Sequence, residues 1–233
     1  DVTAAHPDQE AVVDSSANPT VRLTYAEVKE RVDEIAAAVV AAGVEPGDRV
    51  AIWAPNCWEW IVALLGLQSA GAVLVPLNTR YKGAEAADIL ARSNARLLFT
   101  VEGFLGNDYV SMLDGVDQDL PDLEQIVVLR CGGTAPAGTV TLDEFVATGT
   151  DVDPAVVNAL VGSLTGDDLS DLLFTSGTTG APKGVRLTHA QTLRAFGDWA
   201  DIGGLRPEDR YLCVNPFFHA FGYKAGIVAA FMA

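Results

Sequence analysis

Two hydrophobic periods alternate along this chain, and that alternation restricts the fold more than any other feature. Thr24-Tyr25-Ala26-Glu27 has the form of a capping box, in which the Thr24 hydroxyl accepts from the N3 amide and Glu27 reaches back. Val28, Val32, Ile35 and Val39 follow at helical spacing, and Gly43 stands where that helix should end. A turn at 45–48 leads into a short β-like run at 49–53, Asn56 and Glu59 open a second helix, and an apolar run covers 72–75. The same rhythm predicts a helix near 84–93 and strands near 97–101 and 126–129. Such alternation predicts an α/β fold with a largely parallel sheet. The Gly-, Pro- and Thr-rich stretch 130–138 reads as a surface loop, and the acidic stretch 166–171 as a second loop leading into Leu172-Leu173-Phe174.

Composition narrows the class of partner. With 49% hydrophobic and 20% charged residues the chain has the make-up of a folded globular protein. A formal net charge of −16 argues against nucleic acid, whose phosphate backbone calls for clustered Lys and Arg. Cys57, Cys131 and Cys213 lie far apart with no Cys-x-x-Cys pair, which fits reduced thiols in a cytoplasmic protein. Only His6, His189 and His219 could join them, which disfavours a dedicated metal cage. The apolar run 60–67 is far too short to span a bilayer, so no transmembrane segment is expected. Trp53, Trp58 and Trp60 read as core or interface residues.

The chemistry concentrates in Thr175-Ser176-Gly177-Thr178-Thr179-Gly180-Ala181-Pro182-Lys183-Gly184, directly after an apolar strand. Glycines let the backbone turn tightly and approach a ligand, and successive amides in such a turn form an anion-binding nest. The hydroxyls add donors or help to hold Mg2+, and Lys183 supplies a mobile positive charge. Lysine is scarce here, the others being Lys29, Lys82 and Lys224. Together these features suit a polyphosphate. The spacing differs from the NTPase P-loop, because Gly184 follows Lys183 where Ser or Thr should stand. The bland alternative is a Gly/Thr hairpin, but the lysine and the flanking runs weigh against it.

The segment 176–184 resembles the phosphate-binding signature of the adenylate-forming superfamily, which includes acyl-CoA synthetases, peptide-synthetase adenylation domains and luciferases. Three further segments agree in order: 23–28 and 68–78 resemble the family's first two core motifs, and 215–222 resembles the segment lining its carboxylate pocket. The run 215–226 is similar to that of bacterial ligases acting on ring-bearing propanoates from steroid breakdown. The resemblance implies the N-terminal part of the adenylate-forming fold, with two αβ subdomains built on mainly parallel sheets. Residues 51–205 would form the first, carrying the phosphate loop. Residues 1–50 and 206–233 would begin the second, left incomplete, with the C-terminal domain absent. The run 225–233, which has the composition of a buried helix with no stop signal, reads as a cut through a larger enzyme. An uncovered sheet edge and helix face would then favour a homodimer or aggregation.

The implied activity is that of an AMP-forming acyl-CoA synthetase: a small carboxylic acid attacks the α-phosphate of ATP, and coenzyme A then displaces AMP. The resemblance assigns Thr175, Ser176, Gly177, Thr178, Thr179, Gly180, Lys183 and Gly184 to nucleotide binding, with Thr178 and Thr179 near Mg2+. Lys183 and His219 would act in catalysis, His219 by positioning the carboxylate or gating its access. Phe218, His219, Phe221, Gly222, Tyr223 and Lys224 would border the acyl substrate, Phe217 adding apolar wall. Two bland alternatives stand beside these roles: His219 as a core residue, and Lys224 snorkelling to solvent. His189, after the N-cap candidate Thr188, reads as structural. Competing functions are an amino-acid or aryl-acid activator of the same superfamily, a phosphoryl-transfer NTPase, and a non-catalytic nucleotide-binding module. The first would call for an aspartate in the fourth segment, and none stands in 215–226.

Overall fold

A computed structural model describes residues 2–175 and 182–233. A short helix α1 (Val2–Ala5) and the hairpin of β1 (Glu10–Asp14) and β2 (Val21–Thr24) precede α2 (Tyr25–Ala41). Three β–α units follow: β3 (Arg49–Trp53) with α3 (Trp58–Ser69), β4 (Val73–Pro76) with α4 (Gly83–Ser93), and β5 (Ala95–Val101) with α5 (Tyr109–Asp114). The strands β6 (Gln125–Arg130) and β7 (Val140–Thr141) lead to α6 (Leu142–Thr148) and α7 (Pro154–Ser163). The chain closes with β8 (Leu169–Thr175), β9 (Lys183–Thr188), α8 (His189–Gly203), α9 (Ala220–Gly222), a π-helix (Tyr223–Val228) and α10 (Ala229–Met232).

Seven strands form one sheet in the order β7-β6-β5-β3-β4-β8-β9, all parallel except β9, which returns antiparallel along β8. The expected α/β class with a mainly parallel sheet is what the chain adopts. In β3 every residue after Arg49 is buried, as expected of a central strand covered on both faces. Because β4 joins one side of β3 and β5 the other, the strand order reverses at β3. The carboxyl end of such a sheet is where open α/β folds leave a crevice for ligands.

The capping box at Thr24 forms as read, with the Glu27 amide donating to Thr24 Oγ1 at 3.2 Å and the Thr24 amide donating to Glu27 at 2.7 Å. Behind it, Val28, Val32, Ile35 and Val39 turn inward onto α3. The two helices touch closely at Gly66, where a Cβ would lie 2.6 Å from Ile35 Cγ2. The α3 helix is apolar on nearly all sides because α2 covers one face and the sheet the other. Trp53 and Trp60 are fully buried, whereas Trp58 is half-buried.

Several expectations need correction. The α3 helix begins at Trp58 with Cys57 at the cap, so Asn56 does not open it and is free for another task. The supposed loop 166–171 is strand from Leu169 onward, with Asp171 completely buried. Arg130 is the last residue of β6 rather than the start of a loop. It forms ion pairs with Asp14 and with Glu59 (2.5 Å to the latter), tying the β1–β2 hairpin and the start of α3 to the sheet. Separately, α2 residues, Val12 and Phe217 share one core with the seven-stranded sheet.

Candidate active site

Two segments converge on the carboxyl edge of the sheet. The first is β8, whose strand ends at Thr175 on the same side as the ends of β3 and β4. Residues 176–181, including Ser176, Gly177, Thr178, Thr179 and Gly180, lie outside the described residues. The chain re-enters at Pro182, and Lys183 pairs across the hairpin with Thr175. Thr175 and Lys183 are exposed, which leaves the ammonium free to reach an anion held at the hairpin mouth. Arg92, near the end of α4, donates to the Pro182 carbonyl at 2.7 Å and stacks 5.2 Å over the Phe174 ring. One cation therefore ties both arms of the hairpin. Gly184 lies opposite Phe174, and a Cβ there would come within 3.0 Å of Leu172 Cδ1.

The second segment is 215–219. Asn56, in the turn after β3, grips it with both ends of its amide: Nδ2 donates to the Asn215 carbonyl at 2.9 Å, and Oδ1 accepts from the Phe217 amide at 2.7 Å. Phe217 is buried against Trp60, with ring centroids 5.4 Å apart. The chain then turns, and His219 caps α9, its Nδ1 accepting from the Phe221 amide at 3.2 Å. An accepting Nδ1 fixes the neutral ring proton on Nε2, which points a donor away from the helix. His219 is exposed, so the core-residue alternative for it fails.

The remaining pocket candidates fall into two sets, some near the surface and some packed away. Phe218 is half-buried; Phe221 is 43% exposed and packs edge-on against Trp199, with centroids 5.1 Å apart. Gly222 is small for a packing reason: a Cβ would meet the Pro216 carbonyl oxygen at 2.1 Å, so the backbone of 215–216 fills the space expected for a ligand. Tyr223 is a core residue, buried against Trp60 at 6.1 Å between centroids. Its hydroxyl accepts from Gln68 at 3.3 Å and donates to Asp171 at 3.2 Å. Burial, reinforced by the Asp171 charge, pushes its phenol well above the ordinary range.

Lys224 neither snorkels nor rims a cavity. It is 1% exposed, its Nζ lying 2.7 Å from Asp171 and donating to Thr192 at 2.8 Å. Burial lowers its pKa, and the Asp171 carboxylate works against that shift. An unpaired ammonium there would be expensive, so the partner is what allows a lysine in an apolar helix. His189 starts α8 behind the Thr188–Gln191 capping box, and burial lowers its pKa too. A cleft of about 370 Å³ opens beside it on the helical side, lined by Tyr25, Leu65, Gln68 and Phe231 among others, and none of the expected acyl-site residues borders it. Among the described residues no three His, Cys, Asp or Glu side chains group into a metal site.

The comparisons fit this geometry. The profile of a family described as AMP-binding enzyme matches residues 1–233.

The chain belongs to the AMP-binding enzyme family.

Among its curated relatives, the 3-[(3aS,4S,7aS)-7a-methyl-1,5-dioxo-octahydro-1H-inden-4-yl]propanoyl:CoA ligase of Mycobacterium tuberculosis is 51% identical over 208 residues, 89% of this chain and 40% of that one. The ligase of the same description from Rhodococcus jostii is 42% identical over 219 residues, covering 93% of this chain and 42% of its own length. The AMP-binding chain thus spans about 40% of the length of these relatives. Among solved structures, the N-terminal domain of FACL13 from Mycobacterium tuberculosis superposes with a TM-score of 0.78 at 26% identity, over 98% of this chain and 52% of that one. The relatives are acyl-CoA ligases, and the fold is that of their N-terminal portion.

Sequence reasoning missed Asn56, Arg92 and Asp171. Asn56 was legible only as a helix opener, and Arg92 belongs to none of the motifs read from the sequence. Asp171 was grouped with Asp167 and Asp168 in the acidic stretch read as loop, but it lies on β8.

Proposed function

We propose that this chain is the phosphate- and acyl-gripping portion of an AMP-forming acyl-CoA synthetase. The observation that carries the reading is the signature 176–184 leaving β8 at the sheet edge to which Asn56 also fastens the His219 segment. In the complete enzyme a carboxylate oxygen attacks the α-phosphorus of ATP; the bond to the bridging oxygen breaks and pyrophosphate leaves. Lys183, on an exposed strand end, offsets charge developing on that leaving group. Thr175, Ser176, Gly177, Thr178, Thr179, Gly180 and Gly184 are proposed to cradle the phosphates; Thr178 and Thr179 would help to hold Mg2+, which would supply charge neutralisation on the phosphates. The His219 Nε2 proton would hold the attacking acid, a role supported by Nδ1 accepting from the Phe221 amide; general-base work is unnecessary because a carboxylate is already ionised at neutral pH. Coenzyme A thiolate then attacks the acyl carbon and AMP departs.

The similarity to ligases named for a bicyclic propanoyl thioester points to a ring-bearing propanoate as the acid. Phe218 and Phe221 are the proposed apolar contacts. Residues 1–50 and 206–233 are proposed to belong to a second αβ subdomain, and because the chain spans about 40% of its relatives' length, residues 1–233 alone are expected to make no thioester. Among the described residues no helix is long and apolar enough to cross a membrane. A cytoplasmic location is proposed from the three free cysteines. The test is carboxylate-dependent exchange of labelled pyrophosphate into ATP by the complete enzyme, across ring-bearing propanoates and simple fatty acids. Exchange, with AMP as the product once coenzyme A is added, supports the reading; release of ADP would replace it with a phosphoryl-transfer enzyme.

A further inference from the structure

Among the described residues, a buried and multiply bonded carboxylate lies behind the candidate site rather than in it. One oxygen of Asp171, Oδ1, accepts from Ser170 Oγ at 2.7 Å and from Tyr223 at 3.2 Å, and lies 2.7 Å from Lys224 Nζ. The lysine also holds Thr192 of α8 at 2.8 Å, and Gln68 of α3 donates both to the Ser170 carbonyl at 3.0 Å and to Tyr223. Asp171 and Lys224 are each 1% exposed or less. A buried pair of this kind contributes little net stability compared with apolar residues of similar volume, so burial energy alone gives no reason for it.

Its position gives one. Asp171 lies on β8, the strand that ends at Thr175 and delivers the phosphate loop. Lys224 lies in the helical run that His219 caps. That run is a π-helix at this point, and its widened turn lets the consecutive side chains Tyr223 and Lys224 reach the same carboxylate oxygen. A strand and a helix are stiff over so short a reach, so fixing Asp171 against Lys224 fixes the mouth of the loop relative to His219.

We propose that Asp171 and Lys224 are positioning residues for adenylate formation, holding the loop-bearing strand and the His219 helix at the spacing the reaction requires. The proposal rests on the function proposed above. It also withdraws Lys224 from the acyl substrate, since its ammonium is already engaged by two partners.

The test uses the complete enzyme and the double variant Asp171→Asn/Lys224→Met, which removes both charges together. Where positioning is the role, the variant stays folded by thermal unfolding while kcat for pyrophosphate exchange falls about tenfold or more. KM for the acid stays within about twofold, and thiolysis of supplied acyl-adenylate is also within about twofold of wild type. Tyr223→Phe keeps the ring and removes one donor to Asp171; it should lower exchange about threefold. A folded double variant with wild-type exchange overturns the proposal. If the double variant does not fold, unchanged exchange in Tyr223→Phe overturns it instead. A wild-type enzyme with no carboxylate-dependent exchange defeats the proposed function itself, and this inference falls with it.

Discussion

Lys183 and Lys224 show how far surroundings decide what one side chain does. Lys183 stands exposed at the base of the hairpin, and its proposed role is suggested by the glycines and hydroxyls that precede it at fixed spacing. In the complete enzyme, Lys183→Ala should slow pyrophosphate exchange by roughly 10- to 1000-fold, equivalent to about 1.4–4 kcal/mol of transition-state stabilisation. Unchanged exchange in folded protein would remove it from the chemistry. Lys224 looked like a snorkelling residue because its partner is distant in sequence and resembled loop. Lys224→Met alone strands the Asp171 carboxylate in the core and should cost about 3–5 kcal/mol of unfolding free energy. Chemical denaturation reads this directly. A loss below about 1 kcal/mol would mean that the carboxylate finds another donor or takes up a proton there. His219 was legible as a candidate but not as a cap, since the acceptor role of Nδ1 depends on a turn that only the folded chain defines.

Elements bounded by local signals were read well, and those bounded by distant contacts were not. The α2 helix announced itself through Thr24, Glu27 and its apolar spacing, all within a few residues. By contrast β8 follows the acidic pair Asp167 and Asp168, and what makes Asp171 strand is its pairing with Leu74 of β4 and Leu187 of β9. The π-helix has no local signature in the sequence, and its widened turn is what brings Tyr223 and Lys224 to one carboxylate oxygen. Gly222 belongs to this scale as well. It appeared to leave room for a ligand, but its missing Cβ makes room for the 215–216 backbone that Asn56 fastens. Gly222→Ala should therefore destabilise the protein by about 1–3 kcal/mol through overpacking, and displace the His219 segment. A melting temperature equal to that of wild type would show that the close approach relaxes freely.

For the molecule as a whole, the alternating periods were enough to give an α/β sheet, but its strand order was hidden. No local pattern states that β5 and β4 flank β3, or that β8 joins the far side of β4, because these are packing choices between strands of similar composition. The same holds for the way the amino-terminal hairpin is fastened. Asp14, Glu59 and Arg130 come from three distant segments, and together they pin β1 to the sheet and to the start of α3. Burial raises the Asp14 pKa, but bonds from Ser16, Arg130 and the Trp58 amide outweigh it, leaving the carboxyl below its ordinary value of 3.8. A carboxylate depressed on folding contributes stability that is complete above its unfolded pKa and is lost as pH falls through the folded value. Unfolding free energy should therefore decline as pH drops from about 5 toward 3, and Asp14 should account for part of the slope. Asp14→Asn is expected to be less stable than wild type at neutral pH by about 1.5–3 kcal/mol, the range for a bond to a charged group. The gap should narrow as the wild-type carboxylate takes up its proton. Urea unfolding of both proteins at several pH values provides the measurement. Curves that stay parallel through the acid range would show that Asp14 titrates alike in the folded and unfolded chains and that Arg130 fastens the hairpin through geometry alone.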